Sequence, residues 1–455
     1  GICRMAAKKS SFWNFADRFE GDKVVWIIVL LLFLFSIVCM FSSTSRLLDE
    51  GATRVDLVKE QFIVVLLGLA IIIGLYNIRS VKFFRFFSAF GFATSFILLL
   101  LLDTRIHLPF MRAIEINGAY RILKIGAVQV HVFEVVKVAM VMYLSFAIDA
   151  LKRDALPLRG LSEEWRKVIF IYAPFIITFV MIIPGSNSSA LVIGLIMLIV
   201  ILLGGGSARD MSLLVLAGAA AVGICVLVYK ASDGKYMERI GTGISRILEK
   251  DDWEKQFLSS RKGSIEYQEA LDAMRQPYSA KIAIHEGGFL GKGPGQSTQR
   301  YVVPDISEDY MYSFIIEEYG FIGGVLVIFL YISLLARGSI IVRNCGKDQF
   351  AKLSVAGLCI LISGQAFLHM FVNADIGPMT GQTLPLISHG TSAFLCFCIA
   401  FGVILSFSRI ASRRIEKETR AAAPLMEMHE EVRAGLDDLD AFESGKMPKD
   451  EDYGI

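Results

Sequence analysis

The sequence predicts an all-α polytopic membrane protein of about ten transmembrane helices, with a large extracytoplasmic loop between spans seven and eight. Three observations predict it. Of 455 residues, 54% are hydrophobic and the mean hydropathy is +0.56. The apolar residues gather in long blocks instead of alternating along amphipathic elements. Ten of those blocks reach, or nearly reach, the roughly 20 residues that a hydrocarbon core requires.

In chain order the blocks are 24–41, 61–77, 85–102, 131–148, 168–184, 189–204, 211–229, 310–336, 353–372 and 386–410. The first lies too far inside the chain, with no small-residue cleavage site after it, to read as a removed signal peptide. Orientation follows from the short connections. With the N-terminus in the cytoplasm, inner segments carry Lys8, Lys9, Arg18 and Lys23, then Arg79 and Lys82, then Lys152, Arg153, Arg159, Arg166 and Lys167. Arg209, Arg337, Arg343, Lys347, Lys352, Arg409, Arg413 and Arg414 follow the same side, whereas 184–188 and 373–385 hold no Lys or Arg. The positive-inside rule therefore predicts both termini in the cytoplasm of a multi-pass inner-membrane protein. The basic residues of the long loop do not count against this, because long loops translocate largely regardless of charge.

The chain divides accordingly into a cytoplasmic segment 1–23, a membrane domain 24–410 containing the outer loop 230–309, and a charged tail 411–455 expected to form a short helix followed by disorder. Within the outer loop, residues 243–257 read as an amphipathic helix with Ile244, Ile247, Leu248, Trp253 and Phe257 as its apolar contacts, lying either in the membrane interface or packed on the rest of the loop. Topology accounts for the basic residues and the net charge is only +2, so nucleic-acid binding is not indicated. Of the seven cysteines, five fall in spans, Cys345 in an inner loop and Cys3 at the terminus, which predicts no disulfide framework and no cysteine metal site.

Chemistry concentrates in three stretches. The first is residues 281–324, where a Gly-rich loop runs into the eighth span. Asp309 sits at the junction, and Glu317 and Glu318 lie about 12–14 Å deeper along a helix. Carboxylates at that depth need partners or a polar cavity. Asp309 could also be the N-cap of the span, a role compatible with catalysis. In the second stretch, Glu134 and Lys137 are spaced i, i+3 on one helix face and can pair, near the level of Asp309 and next to Arg121, a fork-shaped donor suited to phosphate. The third, 369–394, packs Gly377, Pro378, Gly381, Pro385 and Gly390 among hydroxyl groups as a re-entrant loop would, with His369 and His389 as possible ligands, proton shuttles or merely structural residues.

Together these stretches resemble the SEDS family of FtsW, RodA and SpoVE, the polytopic peptidoglycan glycosyltransferases, over nearly the whole chain. The run from Gly287 to Gly324 is similar to the family's G-x-G-x-G-x-S-x-Q…DFIF…EE-x-G pattern, with the family's catalytic aspartate on Asp309. The C-terminal signature maps onto Pro378, Gly381, Leu384, Pro385, Ser388, Gly390 and Ser392. Departures are His389 for the signature's tyrosine, Thr391 for its second glycine, His131-Val132-Phe133 for Gln-Pro-Ser, and the lost acid of the run at 184–189. The wording of the Gly-rich and signature runs is more like the FtsW division branch than the RodA branch.

The resemblance implies processive transfer of disaccharide units between molecules of lipid II at the outer face of the membrane during division, with Asp309 as general base. It implies Arg121, Glu134, Lys137, Lys292, Gln299, Glu317, Glu318, Ser388 and His389 as substrate-binding residues. A divalent cation, Mg or Mn, could share the diphosphate charge. Expected partners are a class B penicillin-binding protein transpeptidase and other division proteins at the septum. Competing readings are a flippase for the lipid-linked precursor, and a division scaffold. Polymerase chemistry requires Arg121, Glu134, Lys137, Lys292, Asp309 and Ser388 to converge on one outward-opening cleft that Glu317 or Glu318 also reaches, whereas translocation requires a path open to the cytoplasm.

Overall fold

The computed structural model of the chain describes residues 20–43, 54–116, 119–126, 128–232, 241, 250–303, 306–377 and 380–443. Its membrane helices are α1 (Lys23–Ser43), α2 (Arg54–Asn77), α3 (Val81–Asp103), α4 (Val132–Lys152), α5 (Glu163–Ile182), α6 (Asn187–Leu203) and α7 (Ala208–Ala231). After α8 (Lys250–Ser259) and α9 (Ile265–Gly287) of the long connection come α10 (Met311–Asn344), α11 (Gln349–Asn373) and α12 (Thr391–Glu443). Among the described residues, eight helices are long and apolar enough to cross a membrane. The charge-bearing α4 and the 17-residue α6 complete the expected layout.

Burial ranks the helices. The apolar stretch of α12 is 83% buried and that of α11 67%, against 11% for α7, so α11 and α12 form the centre and α7 the rim. The exposed Leu213, Leu216, Ile224 and Leu227 of α7 suit contact with lipid. Packing around α4 is tight: a methyl group on Gly357 of α11 would lie 2.6 Å from Val141 of α4 and 2.9 Å from Val200 of α6. Pro174 in α5 cannot donate to the carbonyl of Phe170, and the helix widens to a π turn over Val168–Tyr172. The Tyr143 hydroxyl of α4 donates to that carbonyl at 3.0 Å.

Charged latches tie the arginine-rich end of the bundle. Asp22 accepts from Arg337 Nε at 2.7 Å, while Glu20 pairs with Arg409 and Arg413. Hydrogen bonding from Arg413 lowers the Glu20 carboxyl to about 2. Arg85 bridges Asp149 of α4, at 3.2 Å, to Asp348 before α11, at 3.1 Å.

Three features differ from the sequence-based expectation, and a fourth expectation falls mostly outside the described residues. A four-stranded antiparallel sheet in the order β1-β2-β3-β4 (His107–Leu108, Met111–Ile116, Ala119–Ile125, Val128–His131) lies between α3 and α4. Burial along β3 does not alternate, so period-two patterning is absent there, and the sequence reading had no sheet. The last span starts at Thr391, because Leu386–Gly390 belongs to the preceding loop, where Leu386 takes φ +62°. Its helix also runs on to Glu443, longer than the short helix expected, through a segment rich in good helix formers with i,i+4 pairs such as Arg420–Glu416. Of the amphipathic helix expected at 243–257, the first part lies outside the described residues. The described part is α8, whose Phe257 stacks on Tyr267 of α9 at 4.9 Å, a contact within the loop itself.

The eighth span is broken. At Gly320, φ is 69° and ψ −171°, which interrupts the helical ladder in the middle of α10. Unpaired backbone groups are costly within a bilayer, and here a second segment supplies partners. Lys292 and Gly293 donate their N–H groups to the carbonyls of Glu317 and Glu318, both at 2.9 Å, and Phe321 N–H donates to the Gly288 carbonyl at 2.9 Å. The loop 288–299 is thus spliced into the break. Only glycine fits at the two contact points: Gly291 takes φ +81°, and a Cβ there would overlap the Glu318 carbonyl, as one on Gly320 would overlap the Phe289 carbonyl.

Gly320→Val and Gly291→Val are expected to cost about 3 kcal/mol or more each, as overpacking and backbone strain add. Gly74→Ala, at a helical site where nothing lies within 4 Å of the new methyl group, is expected to be neutral or stabilising by under about 1 kcal/mol. Thermal melting of the purified proteins in one detergent checks both, and equal melting points for Gly320→Val and Gly74→Ala would contradict the splice.

Candidate active site

At the sheet-bearing end, α4, α6, β3 and the segments flanking α10 and α12 surround a cleft of about 260 Å³. Arg121, His131, Glu134, Ser186, Ser189, Glu308, Asp309, Thr383 and His389 supply its polar lining.

Asp309 enters this cleft from the turn before α10. It is not the helix cap: Tyr310 occupies that position without a side-chain cap, and the first-turn N–H groups go elsewhere. Tyr312 N–H donates to His369 Nε2 at 3.3 Å, and Ser313 N–H to Asn373 Oδ1 at 2.9 Å. Asn373 in turn donates to the Asp309 carbonyl at 3.0 Å. Two residues of α11 therefore terminate α10 and hold the backbone of Asp309, leaving capping to other groups than its carboxylate. Gly381 lies against that carboxylate, with its Cβ direction 3.4 Å from Oδ2. His369, raised above as a ligand or shuttle, uses both ring nitrogens structurally, Nδ1–H donating to the Gln382 carbonyl at 2.7 Å.

The buried Lys137 forms the floor. Its ammonium donates to Glu134 Oε1 at 2.6 Å, Gln382 Oε1 at 2.7 Å and Gln365 Oε1 at 2.8 Å, which satisfies all three N–H groups of a side chain only 1% exposed. Glu134, on the cleft side of this pair, keeps its second oxygen without a protein partner. Beneath the floor Met140, Val141, Leu144, Leu358, Leu361 and Ile362 are all buried in the apolar core.

One wall can receive an anion. Arg121 Nε donates to the Gly185 carbonyl at 3.1 Å, which ties β3 to the turn before α6. That turn presents the N-terminus of α6, where the Ser186 hydroxyl caps Ser189 N–H at 3.2 Å and both serines line the cleft. A guanidinium beside a helix N-terminus is a ready site for phosphate oxygens. Three carboxylates and two imidazoles also line the cleft, yet among the described residues no three His, Cys, Asp or Glu side chains are placed to hold a metal ion.

The structure brings together only part of the expected constellation. Arg121, Glu134, Asp309 and His389 line the cleft, and Lys137 supports it from below. Ser388 stands behind the wall, where its hydroxyl accepts from Leu384 N–H at 2.9 Å and donates to the Glu308 carbonyl at 2.7 Å. Lys292, Gln299, Glu317 and Glu318 do not line it. Glu317 accepts from Thr298 N–H at 2.8 Å, Gln299 N–H at 3.3 Å and the Lys292 ammonium at 2.7 Å, while Glu318 accepts from Gly295 N–H at 3.0 Å and from the Ser42 hydroxyl. The expectation that this acid pair reaches the Glu134–Lys137 cleft is corrected: the two carboxylates anchor the spliced loop. Pro378 lies outside the described residues. Sequence reasoning missed Gln365, Gln382, Asn373 and Glu308, whose ordinary polar side chains become informative only through partners far along the chain.

The FtsW/RodA/SpoVE family model, described as cell cycle protein, matches residues 22–413. The probable peptidoglycan glycosyltransferase FtsW of Geobacter sp. (strain M18) is 25% identical over 396 residues, covering 86% of this chain and 98% of that one. Its counterpart in Enterococcus hirae is 26% identical over 416 residues, covering 88% and 95%. Among solved structures, a chain from a peptidoglycan synthase complex superposes with a TM-score of 0.60 at 20% identity, covering 86% and 98%. The rod shape determining protein RodA of Thermus thermophilus superposes with 0.54 at 19% identity, covering 86% and 97%. These structural likenesses establish the fold.

Breaking one partner of the buried pair should cost more than removing both. Lys137→Met and Glu134→Gln are each expected to destabilise by up to about 3–5 kcal/mol, with the double variant well short of the sum. A double-mutant cycle on thermal stability checks this, and additive losses would show two independent residues.

Proposed function

Because the chain belongs to the FtsW/RodA/SpoVE family of cell cycle proteins, we propose that it is a peptidoglycan glycosyltransferase that polymerises lipid II at the outer face of the cytoplasmic membrane. The observation that carries this reading is the meeting, in one cleft, of the Asp309 carboxylate with Arg121 and the α6 N-terminus. Glycosyl transfer from a diphosphate needs two things: a base for the acceptor hydroxyl and positive charge for the leaving group. Asp309 takes the proton as the acceptor oxygen forms its bond to the anomeric carbon of the donor sugar. The carbon–oxygen bond to the diphosphate breaks at the same centre, and the departing charge falls on Arg121 and the N–H groups of α6. Lys137 holds Glu134 in place rather than meeting substrate.

The cleft opens at the sheet-bearing end and apolar core lies below Lys137, which favours a reaction at one face over translocation. The basic residues of the opposite end support a cytoplasmic location for both termini. A divalent cation, Mg or Mn, would enter with the diphosphate itself, since among the described residues the acidic side chains do not form a cage. A class B penicillin-binding protein is the proposed transpeptidase partner, by likeness to the relatives that carry the FtsW name and to the peptidoglycan synthase complex. Activity at the division septum alongside further division proteins completes the reading.

Asp309→Asn keeps the shape of the side chain and loses its basicity. Its polymerisation rate is expected to fall by about 10²–10⁴-fold while insertion, melting temperature and binding of the transpeptidase stay unchanged. Incubation with lipid II and electrophoresis of the product checks it, and near-normal polymer would remove Asp309 from the base role.

A further inference from the structure

Two of this chain's departures from the family pattern, His131 and His389, face the same cleft. They sit in different environments. His389 Nδ1–H donates to Glu308 Oε1 at 3.3 Å, and the His389 backbone N–H donates to the Ser307 carbonyl at 2.8 Å, so the ring is braced against the segment that leads to Asp309. His131, at the end of β4, has its backbone N–H on the Ser392 hydroxyl at 3.1 Å and no acid hydrogen-bonded to its ring among the described contacts.

The charges facing His389 can be counted by element. Glu308 and Asp309 come from the turn before α10, Arg121 from β3, His131 from β4, and Glu134 from α4 with Lys137 behind it. Glu60 of α2 adds a more distant negative charge. With His389 neutral, the two cations Arg121 and Lys137 face the three acids Glu134, Glu308 and Asp309, leaving the cleft net negative. That balance repels an anionic substrate. One proton on His389 reduces that imbalance by one charge.

Resting on the glycosyltransferase reading, we propose that the imidazolium of His389, braced by Glu308, is a diphosphate-recognising group of this cleft, so that substrate capture requires a proton there. A protonated imidazole donates charge-assisted hydrogen bonds to phosphate oxygens, where a tyrosine at the same position could offer only a neutral donor. Geometry and direction of titration agree. The Glu308 hydrogen bond holds His389 above its ordinary pKa despite burial, whereas burial holds His131 below its own. His389 therefore holds its proton to higher pH than a free imidazole does and loses it as pH rises through the raised value.

The test is polymerisation of lipid II by the full chain with its transpeptidase between pH 6 and 9, separating KM from kcat, for the parent protein, His389→Gln, His389→Lys and Glu308→Gln. The parent KM is expected to rise about tenfold across this range with kcat little changed. His389→Gln should show a high, flat KM, His389→Lys a low, flat one, and Glu308→Gln a rise that begins at lower pH. A His389→Gln profile that matches the parent, or pH dependence confined to kcat, would overturn the proposal. Direct titration of polyprenyl diphosphate, with inorganic diphosphate as a second probe, keeps the two readings apart. If no variant polymerises but diphosphate binding weakens with pH only when His389 is present, the polymerase reading fails and the anion site stands. Equal, pH-independent binding by parent and His389→Gln would sink the site even if polymer forms. Binding of the lipid-linked probe alone assigns the site to a lipid headgroup, and equal binding of both assigns it to the diphosphate group as such.

Discussion

Everything at the sheet-bearing end depends on one constraint: a membrane helix that is broken must find partners for its backbone from elsewhere in the chain. The break at Gly320 in α10 is filled by the Gly-rich loop, and the adjoining Glu317 and Glu318 carboxylates gather the loop's N–H groups, hydroxyls and Lys292. The first turns of α10 are consequently held from both sides. His369 and Asn373 take the N–H groups at the start, and the splice fixes the other end. Asp309 leads into that clamped piece of helix, with its own carbonyl bound by Asn373. Precise placement of a catalytic base on so short a connection needs such support, because small displacements of a reacting group are expensive in rate.

A second buried charge organises the opposite wall. Lys137 could not remain charged in an apolar bundle without full hydrogen bonding, and Glu134, Gln365 and Gln382 provide it. Gln382 reaches further: its side-chain amide donates to Ser189 at the α6 N-terminus, and its backbone carbonyl accepts from His369 of α11, whose other ring nitrogen holds the start of α10. One polar network thus connects the anion-receptive wall, the floor and the base. The surrounding apolar packing of α4, α6 and α11 keeps this network dry from below, which sharpens every electrostatic contact within the cleft.

The legible part of the fold was set by physics that acts locally. A run of apolar residues of span length has few alternatives in a membrane, and the break between spans follows from Gly, Pro and charge. The extension of α12 and the sheet before α4 escaped because they depend on context: the first continues a packed helix into a segment with only modest preference, and the second pairs strands whose faces do not alternate. Asp309, Arg121, Glu134 and His389 were readable as site candidates because charged groups near spans are scarce and costly. The same reasoning over-counted. Glu317 and Glu318 look like substrate ligands because they are polar at depth, and Lys292 and Gln299 by resemblance, yet in the fold the two carboxylates meet that cost with the loop's N–H groups, the Lys292 ammonium and the Ser42 hydroxyl.

By itself, then, the sequence determined the helical membrane layout, the stretches that had to be polar, and the residue types from which a cleft could be built. Periodicity, length and charge are one-dimensional quantities, so each of these could be read along the chain. Only the tertiary structure decided which polar residues face a ligand and which face each other. Lys137 is separated from Gln382 by 245 positions and Glu318 from Ser42 by 276, and no local rule pairs them. Burial forces every such group to find a partner, but packing alone selects which one.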